Sequence, residues 1–114
     1  MGKNRWSMAG KKALITGGTK GIGYAIADEM VELGASIFVV ARDERLLSQR
    51  LQAWQANGFD AHGKAGDIVN QADREAFFDQ IENLWGKLDI LVNNVGTNIR
   101  KKQLITQPVN TTKY

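Results

Sequence analysis

The stretch Thr16-Gly17-Gly18-Thr19-Lys20-Gly21-Ile22-Gly23 is where residue type and spacing point to chemistry. It follows the apolar run Lys12-Ala13-Leu14-Ile15-Thr16 and opens a helical pattern, so its backbone N–H groups gather at a helix N-terminus. That end of a helix carries roughly half a positive charge and makes a seat for a pyrophosphate. The three glycines have separable roles: Gly17 permits the tight turn, Gly21 lets backbone approach the phosphates, and Gly23 lets the helix pack closely on the strand. A β-carbon at Gly21 is therefore expected to obstruct the ligand. Glycines alone only make turns; the strand before them, the helix after them and a second strand at the right distance turn the pattern into a dinucleotide signature.

The end of the second strand decides which dinucleotide fits. An acid at that position accepts hydrogen bonds from the adenosine ribose, and its charge repels a 2′-phosphate. Here the strand ends Val40-Ala41-Arg42-Asp43. Ala41 stands where the acid would be, Arg42 follows it, and Lys20 lies within the glycine turn. Arg42 offers a phosphate a planar fork and Lys20 a point charge. Together they favour NADP(H) over NAD(H). NAD(H) is the alternative if Asp43, twenty positions past Gly23, accepts the ribose. The preferred reading makes Asp43 the N-cap of the next helix, which leaves Arg42 free for the cofactor.

Other chemistry is scarce. The chain has no cysteine, which excludes disulfides and thiolate metal sites. His62 is the only histidine and has no second nitrogen or sulfur ligand near it in sequence, so no metal site is expected. The net charge of +3 is modest, and Arg100-Lys101-Lys102 is a single basic cluster without aromatic neighbours. A solvated loop is expected there, not a nucleic-acid surface.

These residues need elements to position them. The apolar pattern predicts strands over Lys12–Thr16, Ser36–Val40, Phe59–Ala65 and Leu88–Asn93. Helices are predicted over Gly21–Leu33, Asp43–Asn57 and Asn70–Trp85, stopped by Gly34, Gly58 and Gly86. Ile22, Ile26, Met30 and Leu33 are assigned to the inner face of the first helix. Leu47, Leu51 and Trp54 are assigned to that of the second, and Phe77, Phe78, Ile81, Leu84 and Trp85 to that of the third. Alternating strands and helices predict an α/β, Rossmann-like, doubly wound parallel sheet, of which this is the N-terminal half with strand order 3-2-1-4. Residues 1–96 form that half-domain, and 97–114, with the only proline at Pro108, are expected to be an irregular tail.

Three motifs now stand in order: Thr-Gly-x-x-x-Gly-x-Gly at Thr16 to Gly23, Asp67-Ile68 after the third strand, and Asn93-Asn94-Val95-Gly96 after the fourth. Together they resemble the cofactor half of the short-chain dehydrogenase/reductase family. Arg5-Trp6-Ser7 and the turn through Tyr24 resemble its tropinone-reductase-like branch, over about residues 5 to 100. The resemblance implies that Asp67 holds the adenine amino group and Ile68 offers its backbone to the ring. It implies that Asn93 and Asn94 line the site where the fourth strand meets the ribose, and that Thr16 and Thr19 order the turn. The cofactor-binding set so implied is Thr16, Gly17, Thr19, Lys20, Gly21, Ile22, Gly23, Arg42, Asp67, Ile68, Asn93, Asn94 and Gly96. For Asp67 the plain alternative is a turn or capping residue. Val95 departs from the family's usual alanine.

The resemblance also implies hydride transfer between NADP(H) and a ketone or secondary alcohol, with a serine, a tyrosine and a lysine four residues beyond it as the catalytic group. None is assignable here: Tyr24 is followed four positions on by Asp28, and Tyr114 is the last residue. The expectation is therefore a cofactor-binding part that needs a C-terminal half before it can take a small carbonyl or alcohol substrate. A non-catalytic dinucleotide-binding or interaction module is the alternative. The last strand is expected to present an unpaired edge, which predicts self-association or a complementing chain. Neither a signal peptide nor a membrane span is visible, and a cytoplasmic protein is expected.

Overall fold

The computed structural model describes residues 7–94. Four strands, β1 (Lys12–Thr16), β2 (Ser36–Ala41), β3 (Ala61–Ala65) and β4 (Ile90–Asn93), alternate with three helices, α1 (Gly21–Glu32), α2 (Glu44–Ala56) and α3 (Gln71–Leu84). The sheet is parallel throughout, in the predicted order β3-β2-β1-β4. Gly96 and the tail 97–114, with the basic cluster at 100–102, lie outside the described residues.

Strand alternation sends side chains to two separate cores. Ala13, Ile15, Ile37, Val39 and Ala61 meet Ala27, Met30, Val31, Leu47 and Trp54 from α1 and α2. Leu14, Phe38 and Val40 meet Phe77, Phe78 and Ile81 of α3, together with Ile68 and Leu88. β2, covered on both faces, is buried at every position, as its unbroken apolar run requires. The β3-to-β4 connection carries α3 across the sheet to the far side of β1. Strand order therefore reverses between β1 and β4, and the crevice at such a reversal is where open α/β sheets bind ligands.

Several sequence expectations are corrected. Ile22, in the first turn of α1, is 71% exposed instead of inward. Ala27 and Val31 take its place in the core. Leu33 is the C-cap of α1 and only half-buried. Leu84 ends α3 and is 40% exposed. β3 begins at Ala61, not Phe59, because the Phe59 amide still donates to the Trp54 carbonyl at 3.1 Å and closes α2. β4 begins at Ile90. Ahead of it Leu88 is fully buried, and Asp89 braces β1 through a 2.9 Å bond from the Lys12 amide to its carboxylate and a 2.8 Å bond back to the Lys12 carbonyl.

Candidate functional site

The C-terminal ends of β1 and β4 are fastened side by side by short polar groups. Thr16, in register with Asn93, donates from Oγ1 to Asn93 Oδ1 at 2.8 Å and accepts the Asn94 amide at 2.9 Å. Asn94 Nδ2 donates to the Gly17 carbonyl at 3.3 Å, and the Gly17 amide donates to the Val40 carbonyl at 2.7 Å. The glycine turn thus leaves the sheet from a base fixed by β2 and β4.

Two of its glycines have positive φ, Gly17 at 69° and Gly21 at 55°, a conformation that penalises any side chain. Gly23 answers to space instead. A Cβ there would collide with the Gly17 carbonyl oxygen and lie 2.5 Å from Asn94 Nδ2. The start of α1 can lie against the turn only without one. At Gly21 a Cβ would meet no atom of another part of the fold within 4 Å among the described residues, so the space above the turn is open there.

The helix that follows is left open at its start. Lys20, the N-cap, is extended (φ −139°, ψ 157°), makes no side-chain cap, and precedes a first turn without an acid. The first amides of a helix have no intrahelical acceptor, so those of α1 are available to an anion.

Beside this turn lies a cleft of about 220 Å³ with three walls. One is the turn itself, through Thr16, Gly17, Thr19 and Lys20; the second is the end of β2, Val40 to Asp43; the third is the loop Gly66 to Val69. Lys20 and Arg42 are both exposed, and neither side chain has an ion-pair or hydrogen-bond partner among the described residues. Asp43 is committed to α2: its Oδ1 accepts the Leu46 amide at 3.0 Å, as the capping reading predicted. Asp67 makes the turn contact that was its plainer reading, accepting the Val69 amide at 3.0 Å. The same carboxylate lines the cleft. The Ile68 side chain is 3% exposed, packed in the α3-side core. Of the predicted set, then, Thr16, Gly17, Thr19, Lys20, Arg42, Asp67 and Ile68 share one cleft. Gly21, Ile22 and Gly23 form the helix start beside it, and Asn93 and Asn94, which do not line the cleft, fasten the base of the turn through Thr16 and Gly17. Gly96 lies outside the described residues.

Three side chains that sequence reading passed over hold these walls. Arg74 Nη1 donates to the Ile68 and Val69 carbonyls, both at 3.1 Å, and Asp73 Oδ2 accepts the Asp67 amide at 2.9 Å. Arg50 Nε donates to the Thr19 carbonyl at 3.1 Å. A signal was present. Arg50 shares the helical stripe of Leu47 and Trp54, and Arg74 that of Phe77, Phe78 and Ile81, so each is a cation on an apolar face. His62 is paired with Asp60 (Nε2 to Oδ1, 2.7 Å) and packs edge-on against Trp85. No metal-holding group of side chains occurs among the described residues.

The short chain dehydrogenase family model matches residues 11–113. A chloroplastic tropinone reductase homolog of Arabidopsis thaliana is 48% identical over 100 residues, covering 87% of this chain and 31% of its own length. This chain therefore spans about a third of that relative. Among solved structures, the Pseudomonas aeruginosa RhlG/NADP active-site complex superposes with a TM-score of 0.73 at 37% identity, covering 85% of this chain and 38% of that one. A short-chain dehydrogenase/reductase from Burkholderia phymatum in complex with NAD gives 0.71 at 30% identity, covering 75% and 30%. The glycine turn, the reversal of strand order above it and these matches agree: the chain belongs to the short-chain dehydrogenase/reductase family, on its tropinone-reductase-like branch.

Proposed function

We propose that this chain is the NADP(H)-binding part of an oxidoreductase that transfers hydride between NADP(H) and a ketone or secondary alcohol. The observation that carries the reading is the pair of exposed cations, Lys20 and Arg42, lining one cleft with no side-chain partner among the described residues, beside an acid, Asp43, that caps α2. A phosphate dianion at that corner meets two positive charges, and the Asp43 oxygen that would accept a ribose hydroxyl is engaged by the Leu46 amide. The residues fit the cofactor in three further ways. Open amides at the start of α1 suit a pyrophosphate, Asp67 and the Ile68 backbone suit an adenine, and Asn93 and Asn94 suit the ribose where β4 meets it. When bound, the nicotinamide supplies the hydride. This chain's own residues bind and orient it. The serine, tyrosine and lysine of the family's catalytic group have no assignable counterpart here, so turnover depends on their being supplied, in one chain or by a complementing one. Self-association through the β4 edge belongs to the same proposal, as does a cytoplasmic location. Among the described residues no helix is long and apolar enough to cross a membrane.

Calorimetric titration with NADPH and, separately, NADH is the test. Saturable binding that prefers NADPH, and a preference that disappears in Arg42→Ala, supports the reading. A preference for NADH in the unmodified chain would make Asp43 the ribose acceptor and the cofactor NAD(H), and equal affinity would mean that Lys20 and Arg42 do not read the 2′-phosphate. No binding of either by folded protein would end the proposal.

A further inference from the structure

The glycine turn is held from a direction its motif does not encode. Arg50, on α2, is half-buried and reaches across to the Thr19 carbonyl at 3.1 Å. Its guanidinium lies 3.7 Å from the centroid of the Tyr24 ring. Tyr24 in turn stacks on Trp54 (5.8 Å between centroids, 29° between planes), and the Trp54 indole N–H donates to Asp28 at 3.0 Å. Both aromatic rings and Asp28 belong to α1 and α2, the two helices packed on this face of the sheet. Arg50 has no carboxylate partner among the described residues. The guanidinium is therefore seated by stacking, and its Nε–H is spent on one backbone oxygen.

That oxygen governs an amide. Across a planar trans peptide the carbonyl and the following N–H point in opposite directions. Drawing the Thr19 carbonyl toward α2 turns the Lys20 amide away from α2 and fixes the plane at the residue that enters α1. The other end of the turn is fixed in the same manner, by Asn94 Nδ2 on the Gly17 carbonyl. With both carbonyls tethered, the Gly17–Gly18 and Thr19–Lys20 peptide planes are set in advance, without cost at the moment of binding. We propose that Arg50 is a positioning residue for the nucleotide: it sets the Thr19–Lys20 peptide plane so that the turn presents its amides to a pyrophosphate. This rests on the dinucleotide reading above.

Three substitutions separate positioning from charge and from packing. Arg50→Gln places an amide N–H donor where Nε stood and removes the charge. Arg50→Lys keeps the charge and moves the donor one bond outward. Arg50→Met keeps packing over Tyr24 and removes both. NADPH affinity of the full chain is expected to fall about tenfold in Arg50→Met, the usual weight of one hydrogen bond, and to stay within about threefold of the parent in Arg50→Gln. Melting temperatures measured alongside are expected not to follow that order. In the cofactor-free protein, nitrogen-15 order parameters at Lys20 and Gly21 are expected to drop in Arg50→Met and to recover in Arg50→Gln.

Parental affinity in Arg50→Met, or recovery in Arg50→Lys but not in Arg50→Gln, overturns the proposal while leaving the cofactor reading intact. Failure of the parent chain to bind NADPH removes the cofactor reading. The order parameters then still decide whether Arg50 holds the turn, and unchanged values in Arg50→Met remove that as well.

Discussion

The starts of α2 and α3 are closed by their own sequence, and the start of α1 is not. Asp43 Oδ1 accepts the Leu46 amide at 3.0 Å and Asn70 Oδ1 the Asp73 amide at 2.9 Å. Each of these helices also carries an acid in its first turn, Glu44 in one and Asp73 in the other. α1 has a lysine at the same position, no side-chain cap and no first-turn acid. A cap contributes about 1 kcal/mol, so the open end forgoes stability that its two neighbours take. What it keeps is a set of unoccupied donors with a partial positive charge, placed at the reversal of strand order. Capping residues serve the fold, and one of three otherwise similar junctions does without them at the place where the proposed cofactor site lies.

This contrast can be broken most severely at Gly23. Gly23→Val forces α1 away from the Gly17 carbonyl and Asn94. It is expected to cost about 1–3 kcal/mol of stability, as overpacking does. With the amides displaced by an ångström or so, NADPH affinity is expected to fall about a hundredfold. Denaturant melts and calorimetry read the two effects, and parental NADPH affinity in this variant would mean that the amides of α1 take no part in binding.

Arg42→Ala comes next. Loss of one charge-assisted contact to a phosphate is expected to weaken NADPH binding about ten- to a hundredfold, with NADH unaffected. An equal loss for both cofactors would place Arg42 on the shared pyrophosphate instead of the 2′-phosphate.

Lys20→Ser sharpens the comparison directly, because it installs the missing cap. Stability is expected to rise by about 1 kcal/mol, while NADPH affinity falls about tenfold as a cation is lost and an amide is taken. A variant that gains stability without losing affinity would show that the open end is incidental. The converse, Asp43→Ala, is expected to cost about 1 kcal/mol and leave NADPH affinity intact. If it abolishes NADH binding instead, Asp43 is a ligand residue and not only a cap.

The smallest effect is in pH. Burial raises the Asp89 carboxyl, but the Lys12 amide, the Lys87 ammonium 3.3 Å away and the charge of Lys11 outweigh it and hold the group below its ordinary range. Burial likewise raises Asp60, and bonds from Ser36 and His62 with the charges of His62 and Lys12 bring it lower. A carboxylate depressed in the folded state stabilises above its unfolded value of 3.8. That contribution is lost as pH falls through the folded value. Melting temperature is therefore expected to fall on acidification below about pH 4, and Asp89→Asn to flatten that fall. An identical acid limb in Asp89→Asn would assign it to other carboxylates.

Much of this was legible from local pattern. Period-2 and period-3.6 alternation placed all four strands and three helices, because a strand or helix in a two-faced sheet must be apolar where it is covered. The right-handed crossover rule then left one strand order. Asp43 as a cap was readable because capping is decided within four residues. Ile22 and Leu84 were misread for a complementary reason: helical spacing gives a face, not the distance over which a neighbour covers it, and both lie at helix ends.

By itself the sequence determined the parallel sheet and its order, the glycine turn at its centre, and a first helix that starts without a cap. These follow from spacing, from φ restrictions and from the identity of single residues. Only the tertiary structure decided that Lys20 and Arg42 share a cleft with Asp67, that Gly23 is pressed against Gly17 and Asn94, and that Arg50 and Arg74 hold the backbone of the cleft's two loops. Those contacts join residues from about 5 to about 75 positions apart, brought together by burial of the two cores. Hydrophobic burial is non-directional, so the pattern that drives it does not name which polar groups it will bring face to face.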